Sequence, residues 1–335
     1  MSLNKQGLFR TKLRGVGSYF PEKLLTNADL EKIVETNDQW IRERTGIHSR
    51  HIAAEGEYTS DLALKAAQRA LEMASMSARD LEMIIFATVS PDQVMPNTAC
   101  VLQQKLGCRN IMAVDISAAC TGFVYALSMA NKYIQTGMYR NILVIGAEVI
   151  HPFVNYKDRE TCILFGDGAG AAIASRAGDD ETSEILSEHL YADGQINDLF
   201  MLPAGGSKIP FTQEVLDKEL QYMTMKGREI FKHAVRTMSH SCSEALEANK
   251  LTKDDVDWVI PHQANLRILE AVAKHFGIPN EKVIINLHHT GNTSAATVPT
   301  ALDEAVRDGR VKRGQLILLT AFGAGITSGS ILLRF

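Results

Sequence analysis

The sequence predicts an α/β protein whose two halves repeat one order of elements. Apolar runs of strand length alternate with helical stretches, and each half gives strand, helix, strand, helix, strand, strand. The runs are too continuously apolar for half-exposed strands, so we expect central strands covered by helices on both faces. We expect an N-terminal half over residues 10–180 and a C-terminal half over residues 181–335, joined through the charged stretch RAGDDETSE (176–184).

Four apolar runs predict the strands of the first half. They are MIIFATVS (83–90), MAVDIS (112–117), ILVIGAE (142–148) and GAGAAIAS (168–175). The helical stretch TGFVYALSMANKYIQTG follows the second run and ends at Gly137, a residue type that commonly ends helices.

The second half offers a matching set of runs. They are DWVIPH (257–262), VIINLHH (283–289), LILLTAFG (316–323) and GSILLRF (329–335). The helical stretches LRILEAVAKHFG and SAATVPTALDEAVRDG follow the first and second runs. This agreement predicts an internal duplication.

The composition is that of an ordinary globular protein. The 335 residues are 45% apolar and 22% charged, and the formal net charge of -4 argues against a general nucleic-acid-binding surface. No apolar run approaches the ~20 residues that span a bilayer. The N-terminal stretch MSLNKQGLFRTKLRG also lacks the features of a signal peptide. We therefore expect a soluble cytoplasmic protein with no membrane or nucleic-acid partner.

The cysteines are spread along the chain without a C-x-x-C pair, which favours reduced thiols over disulfides or a zinc site. His288 and His289 stand near His262 in the sequence, but no carboxylate or cysteine spacing completes a metal site. We therefore expect no metal. The five cysteines are Cys100, Cys108, Cys120, Cys162 and Cys242.

Three polar residues follow predicted strands at matching places in the two halves. Cys120 comes just after MAVDIS and at the start of a helix, and Asn292 comes just after the equivalent run of the second half. His262 ends the run that matches MIIFATVS. Because ligands of α/β sheets gather beyond the carboxyl ends of strands, we expect these side chains to lie together.

The chemistry of the three side chains is coherent. A thiolate is the nucleophile, and a helix N-terminus is expected to lower the pKa of Cys120. His262 and Asn292 can donate hydrogen bonds to a developing oxyanion. Taken singly, each residue has a structural explanation: a buried thiol, a hydrogen-bonded core histidine and a turn asparagine.

Six longer motifs lie between about residue 12 and Phe335. They are GSYFPEKLLTNADLEKIVETNDQWIRERTGI, DISAACTGFVYAL, FGDGAGAA, IPHQANLRI, GNTSAATVP and ALDEAVRDGRVKRGQLILLTAFGAG. As a set they resemble the motifs of β-ketoacyl-acyl-carrier-protein synthase III.

The resemblance implies the thiolase fold, an internally duplicated five-layer αβαβα architecture, and a homodimer. It also implies the condensation that initiates type II fatty-acid synthesis, without a cofactor. An acyl-CoA would acylate Cys120, and malonyl-acyl carrier protein would then decarboxylate and attack the acyl-cysteine. Within the family pattern, His262 and Asn292 stabilise the malonyl thioester oxygen, and the backbone N–H groups of Cys120 and Ala324 form an oxyanion hole.

Two further sets of residues match the family's binding positions. Indole and guanidinium groups suit CoA, because they stack on the adenine and pair with phosphates. The implied CoA-binding residues are Trp40, Arg44, Thr45, Arg159, Gly227, Phe231, Asn265 and Arg267. The implied carrier-protein surface comprises Lys232, Gln263, Ala264, Asn265, Leu266, Arg267 and Lys274.

The chain departs from the family pattern at four places. Ala324 replaces a glycine, and alanine tolerates positive φ less well, which bears on the oxyanion hole. Ile326 and Ser328 replace aromatic residues, and Met95 stands where a phenylalanine often limits the primer pocket across the dimer interface. We expect these changes to admit a longer or branched primer.

Other functions share some of these features. A condensing enzyme of secondary metabolism with a specialised acyl starter is the nearest alternative. A papain-like protease also has Cys, His and Asn, but its local cysteine signature is absent. A thiolase would need a second late cysteine, and none follows Cys242. A non-catalytic scaffold would be indicated by loss of a catalytic residue, and all three are present.

Overall fold

The computed structural model describes Leu3 and residues 7–335. The prediction about a signal peptide rests partly on residues outside these ranges. The strands are, in chain order, β1 (Thr11–Tyr19), β2 (Leu24–Thr26), β3 (Ser49–His51), β4 (Met83–Ala87), β5 (Met112–Ile116), β6 (Asn141–Glu148), β7 (Gly168–Arg176), β8 (Glu184–Ala192), β9 (Phe200–Met201), β10 (Thr224–Met225), β11 (Trp258–Pro261), β12 (Leu316–Gly323) and β13 (Thr327–Arg334).

Short polar side chains start several of the helices by accepting free backbone N–H groups. Asn97 caps one helix through the N–H of Cys100, and Asn265 caps another through the N–H of Arg267. The helices are α1 (Asn27–Leu30), α2 (Asp38–Thr45), α3 (Thr59–Ala74), α4 (Thr98–Leu106), α5 (Gly122–Gln135), α6 (Arg159–Cys162), α7 (Gln213–Asp217), α8 (Gly227–Asn249), α9 (Leu266–Phe276), α10 (Leu287–Thr290) and α11 (Thr297–Arg307).

Two main sheets divide the strands by their position in the chain. The first has the order β1-β7-β6-β4-β5, in which β4 runs parallel to both β5 and β6. The second has the order β11-β12-β13-β8, in which β11 and β12 are parallel and the other pairs antiparallel. The first sheet uses residues 11–176 and the second uses residues 184–334.

Helices separate and cover the two sheets. α3 and α4 pack on the outer face of the first sheet, and α8 and α9 on the outer face of the second. α5 and α11 lie between the sheets and contact both. These five layers confirm the expected αβαβα architecture.

One buried cluster passes through the central layer and both sheets. It includes Phe123 of α5, Val144 of β6, Leu302 of α11 and Leu319 of β12. Burial of apolar surface contributes roughly 25 cal/mol per Å², so the two halves stabilise one another through this shared core. Groups at facing strand ends are therefore held in fixed relative positions.

One strand prediction is wrong. The run VIINLHH (283–289) forms a single bridge, between Val283 and Val259, and then turns into α10. The reason is a buried side chain: Gln263 Oε1 accepts the N–H groups of Asn286 and Leu287 at 3.0 and 3.3 Å. A side chain thus takes the place of a neighbouring strand as hydrogen-bond partner.

Candidate active site

Cys120 lies in a tight turn between β5 and α5. Ala119 precedes it with a left-handed backbone (φ 47°), which costs a non-glycine residue about 1–2 kcal/mol. Gly122 follows, and a Cβ there would lie 2.8 Å from the Cβ of Ala87, so glycine is required where α5 approaches β4. The turn leaves Cys120 only 5% exposed.

His262 follows β11 and is buried. Its backbone N–H donates to the Thr320 carbonyl at 2.7 Å, and its Nδ1 lies 2.7 Å from Thr297 Oγ1. Burial lowers the pKa of His262 to about 3. The imidazole is therefore neutral at physiological pH and can act as a hydrogen-bond donor or acceptor without carrying charge.

Asn292 is held by backbone hydrogen bonds to the first half of the chain. Its N–H donates to the Leu164 carbonyl at 2.9 Å, and its carbonyl accepts the Gly166 N–H at 3.1 Å. Its side-chain Oδ1 accepts the N–H of Ser294 at 2.9 Å. With the oxygen engaged, the amide NH₂ is the group left to face a substrate.

The three side chains meet in one cavity of about 120 Å³, here called the catalytic cavity. Cys120, His262 and Asn292 all line it, although they come from three different segments of the chain. The structure thus brings together the three residues that the sequence predicts to be catalytic.

A second cavity of about 140 Å³ also opens on Cys120, and we call it the apolar cavity. Its walls include Val89, Ile150, Phe153 and Met223, and its lining is almost entirely hydrocarbon. Such a wall suits an alkyl chain attached to the Cys120 sulfur.

The turn after β12 closes over the cysteine. A Cβ at Gly323 would lie 2.9 Å from the backbone nitrogen of Cys120, so glycine permits this close approach. Ala324 lines both cavities, and the part of its N–H in an oxyanion hole stays a prediction. The left-handed residues of the turn are Gly325 (φ 75°) and Ile326 (φ 49°), not Ala324, so alanine introduces no strain there.

A larger cavity of about 1060 Å³, the entrance cavity, leads from the surface toward the catalytic cavity. The two share Leu164, Met225 and Phe231 as lining residues. The Trp40 ring lies beneath two guanidinium groups, with the Arg44 and Arg159 carbons 5.2 and 4.6 Å from the ring centroid. All eight expected CoA-binding residues line this cavity: Trp40, Arg44, Thr45, Arg159, Gly227, Phe231, Asn265 and Arg267.

The expected carrier-protein surface divides into two groups. Lys232 and Arg267 lie at the entrance cavity, and Lys274 is exposed near the end of α9. Ala264, Asn265 and Leu266 are partly exposed.

Gln263 does not fit the expected carrier-protein surface. It is 0% exposed, and its amide NH₂ donates to the carbonyls of Pro261 and Ile284 at 2.7 and 3.2 Å. Because all of its polar capacity is used inside the protein, Gln263 cannot contact a partner; it orients the chain around His262 instead.

The four departures from the family pattern do not surround one pocket. Ile326 lines the catalytic cavity, whereas Ser328 points into a separate cavity beside Tyr191 and His240. Met95 is 84% exposed and lines none of the cavities around Cys120 in its own chain. The proposed role of Met95 across a dimer interface stays a prediction.

The ionisation of Cys120 also differs from expectation. Burial raises the pKa of its thiol to about 12, the nearby Glu148 carboxyl acts in the same direction, and the Ser294 hydroxyl opposes both. The effect of the helix N-terminus is therefore outweighed by burial. The resting thiol is protonated, and some group must take its proton when it reacts.

Sequence reasoning missed three polar residues around the site. Ser294 and Thr297 follow Asn292 closely, and Glu148 ends the apolar strand β6 while being 0% exposed. Glu148 at the end of an apolar run was a signal in the sequence, because a buried acid needs hydrogen-bond partners and such partners often belong to a functional site. Among the described residues, no group of three or more His, Cys, Asp or Glu side chains could hold a metal ion, and no helix could span a membrane.

A cysteine that shares a cavity with a neutral histidine and an asparagine amide, in a duplicated five-layer fold, is typical of a thiolase-fold condensing enzyme. Two family models match the chain: 3-oxoacyl-[acyl-carrier-protein] synthase III over residues 114–194, and the C-terminal model of the same family over residues 246–335. The chain belongs to the 3-oxoacyl-[acyl-carrier-protein] synthase III family and is an acyltransferase.

Individual relatives match this family over nearly the whole chain. The beta-ketoacyl-[acyl-carrier-protein] synthase III of Caldanaerobacter subterraneus subsp. tengcongensis is 51% identical, with 96% of each chain covered. The protein of that name from Xylella fastidiosa (strain Temecula1) is also 51% identical, covering 97% of this chain and 98% of its own. The crystal structure of the Aquifex aeolicus VF5 synthase III superposes with a TM-score of 0.90 at 47% identity, covering 97% of this chain and 100% of its own.

Proposed function

We propose that the protein condenses an acyl-CoA primer with malonyl-acyl carrier protein through an acyl-Cys120 intermediate. The product is 3-ketoacyl-carrier protein, and the reaction starts type II fatty-acid synthesis. The observation that carries the proposal is that Cys120, His262 and Asn292 share one cavity that is continuous with the entrance cavity.

In the first half-reaction, the Cys120 sulfur attacks the thioester carbonyl of the primer. The N–H groups of Cys120 and Ala324 bind the oxyanion of the tetrahedral intermediate, and free CoA leaves through the entrance cavity. The alkyl chain of the primer occupies the apolar cavity, whose hydrocarbon wall matches it.

In the second half-reaction, the malonyl thioester loses CO₂ and becomes an enolate. His262 and Asn292 donate hydrogen bonds to the enolate oxygen, and the low pKa of His262 and the engaged Oδ1 of Asn292 support these roles as neutral donors. A neutral histidine suits this role, because it stabilises charge that develops only in the transition state. The enolate carbon then attacks the acyl-cysteine carbonyl, the bond to the Cys120 sulfur breaks, and the sulfur takes up a proton from solvent as the 3-ketoacyl product is released.

Substrate recognition follows from the entrance cavity. We assign the adenine to Trp40, between the guanidinium groups of Arg44 and Arg159. Lys232 and Arg267 at the same mouth are assigned to the acidic carrier protein. These two cations are then shared between CoA phosphates and the carrier, which bind in successive half-reactions.

Further features belong to the same proposal. We propose a cytoplasmic homodimer in which Met95 of each chain limits the partner's primer pocket; its exposure in the single chain supports this. We propose halves divided at residues 180 and 181, supported by the division of the sheets. The three side chains account for both half-reactions, so the proposal includes no cofactor.

The specialised condensing enzyme of secondary metabolism is not favoured. Relatives about half identical over nearly the whole chain carry the name beta-ketoacyl-[acyl-carrier-protein] synthase III.

The proposal is tested by intact-protein mass spectrometry after mixing with acetyl-, butyryl- or octanoyl-CoA. We expect one acyl group to be added, to be lost in Cys120→Ala, and to persist in Cys242→Ala, which removes another buried thiol. Addition of malonyl-carrier protein should then discharge the acyl group as a 3-ketoacyl product. No adduct from any donor would contradict the primer assignment, and an adduct that malonyl-carrier protein does not discharge would contradict the condensation.

A further inference from the structure

A buried hydroxyl connects the nucleophile to a carboxylate. Ser294 Oγ lies 3.7 Å from Cys120 Sγ and 3.1 Å from Glu148 Oε1. The thiol donates to the hydroxyl, and the hydroxyl donates to the carboxylate. These directions form a continuous path for a proton from sulfur to carboxylate.

The two oxygens of Glu148 have different surroundings. Oε2 accepts four hydrogen bonds: from the Thr88 hydroxyl and the Val89 N–H at 3.0 Å, from the Ser90 N–H at 3.0 Å, and from the Ser90 hydroxyl at 2.5 Å. Within the described residues, the one hydrogen bond to Oε1 comes from Ser294. Burial raises the pKa of Glu148 and makes its carboxylate a stronger base, while the hydrogen bonds to Oε2 favour the ionised form and leave Oε1 to receive the proton from Ser294.

The backbone fixes this geometry. Ser294 adopts φ 50°, and its N–H is held by Asn292 Oδ1 at 2.9 Å. A Cβ at Gly146, two residues before Glu148 in β6, would lie 2.3 Å from the Ala295 carbonyl oxygen. Glycine therefore lets β6 approach the segment that carries Ser294, and Glu148 and Ser294 are held within hydrogen-bond distance of each other.

The nucleophile needs such a path. Burial raises the pKa of the Cys120 thiol to about 12, so it is protonated before it reacts. The other ionisable group in the catalytic cavity is His262, and burial lowers its pKa to about 3, which makes it a weak base. Asp167 and His151 are the ionisable pair just after β6. The Asp167 carboxylate already accepts the N–H groups of Ile150 and His151 and contacts the His151 imidazole, so it is not available as the base.

We propose that Glu148 is the proton acceptor for Cys120, acting through Ser294. As the sulfur forms its bond to the primer carbonyl carbon, the thiol proton passes to Ser294 Oγ and the Ser294 proton passes to Glu148 Oε1. The tetrahedral intermediate then collapses and breaks the bond to the CoA sulfur. The proton returns from Glu148 through Ser294 to that leaving sulfur, so CoA departs as a thiol and Glu148 is ionised again.

Glu148 as a proton acceptor and Glu148 as a mere negative charge have opposite effects on the reactivity of Cys120. A buried negative charge raises the pKa of the thiol, so as a charge alone Glu148 would slow thiolate formation. Glu148→Gln would then make Cys120 more reactive. As a proton acceptor Glu148 speeds the reaction, so the same variant makes Cys120 less reactive.

The test measures two reactions of Cys120. Alkylation by iodoacetamide between pH 6 and 10 needs no assumption about the substrate. Acylation by acetyl-CoA rests on the proposed function. The variants are Glu148→Gln, Ser294→Ala and the double variant. Thr300→Val is the matched control, because the Thr300 hydroxyl is equally buried but donates only to the Thr297 carbonyl. Thermal unfolding of each protein reports on its folding.

We expect both single variants to slow both reactions about 10²-fold at pH 7, a typical contribution of acid–base catalysis. The loss of rate relative to the wild type should shrink as pH rises, because hydroxide then takes the thiol proton in place of Glu148. The double variant should be no slower than the slower single variant, because the two groups act in series. The control should stay within threefold of the wild type.

Faster or unchanged alkylation in Glu148→Gln, or an equal loss at every pH, would overturn the proposal. If Glu148→Gln fails to fold, Ser294→Ala decides alone, because it leaves the four hydrogen bonds to Oε2 in place. A relay seen in alkylation without any acylation by acetyl-CoA would contradict the primer assignment while supporting the relay.

Discussion

The Nδ1 atom of His262 lies 2.7 Å from the hydroxyl oxygen of Thr297. The same hydroxyl is 3.0 Å from the Ser294 carbonyl, and it has one proton to donate. For His262 to donate from Nε2 to an enolate oxygen, Nδ1 must be the acceptor, and Thr297 must give its proton to the ring. The proposed condensation therefore predicts that Thr297 turns its proton from the Ser294 carbonyl to Nδ1 and so selects the tautomer with a proton on Nε2.

Loss of the Thr297 hydroxyl should impair condensation selectively. We expect Thr297→Val to slow discharge of acyl-Cys120 by malonyl-carrier protein about tenfold, while acylation by acetyl-CoA is unchanged. Thr297→Ser should restore the rate, because it restores the donor. The two half-reactions are measured separately by rapid quench and mass spectrometry. Equal loss in both half-reactions would contradict a role in tautomer selection.

The burial of His262 should make the free energy of unfolding depend on pH. Its pKa falls from 6.5 to about 3 on folding, so below pH 6.5 the unfolded chain binds a proton that the folded protein does not. Stability is therefore unaffected above about pH 7 and is lost as pH falls toward 3. At pH 5 the loss is about 2 kcal/mol.

Urea unfolding at pH 5 and pH 7 measures this dependence. The wild type should lose about 2 kcal/mol more than His262→Gln between the two values, because the variant has no imidazole to protonate. The same comparison between pH 7 and pH 8 should show no difference. Parallel losses in the two proteins at pH 5 would mean that His262 is not neutral in the folded state.

Removal of the Trp40 ring should weaken CoA binding. We expect Trp40→Leu to raise the KM for acetyl-CoA about tenfold, the effect of losing one base–aromatic stacking contact, with little change in kcat. Trp258→Phe is the matched control, since Trp258 lies in β11 and bonds Gln315, away from the entrance cavity. An unchanged KM in Trp40→Leu would remove the adenine assignment.

The apolar cavity should set the length of the primer. Ile150→Phe fills part of its 140 Å³, and each excluded CH₂ forfeits about 0.8 kcal/mol. The ratio of octanoyl to acetyl transfer should fall more than tenfold, as measured by competing the two donors. Ile326→Phe is the companion variant, because Ile326 lines the catalytic cavity instead. Ile326→Phe should leave the ratio of octanoyl to acetyl transfer unchanged. If Ile326→Phe lowers the ratio and Ile150→Phe does not, the alkyl chain occupies the catalytic cavity instead of the apolar cavity.

The sequence predicts the layers and two of the three candidate catalytic residues because both depend on strands and their ends. Continuous apolar runs locate β4, β5, β6, β11 and β12, and their carboxyl ends locate Cys120 and His262. The failed strand at residues 283–289 depended on Gln263, a buried side chain that no periodicity reveals.

The electrostatics of the site were less predictable. The pKa of Cys120 depends on how completely the turn after β12 covers it, and that coverage comes from packing between distant segments. Likewise, Ser328 precedes Gly329 on β13 and faces away from the cavity that Ile326 lines. Ile326 and Ser328 are two residues apart in the sequence, yet their side chains line different cavities, and the sequence did not indicate this difference.

The cover over Cys120 has a consequence for oxidative damage. Hydrogen peroxide attacks thiolates, and the oxidation of cysteine to sulfinic or sulfonic acid is irreversible in most proteins. A protonated thiol that is 5% exposed offers peroxide little to attack. We therefore expect Cys120 to stay reduced between turnovers and to lose its proton only when an electrophile fills the cavity beside it.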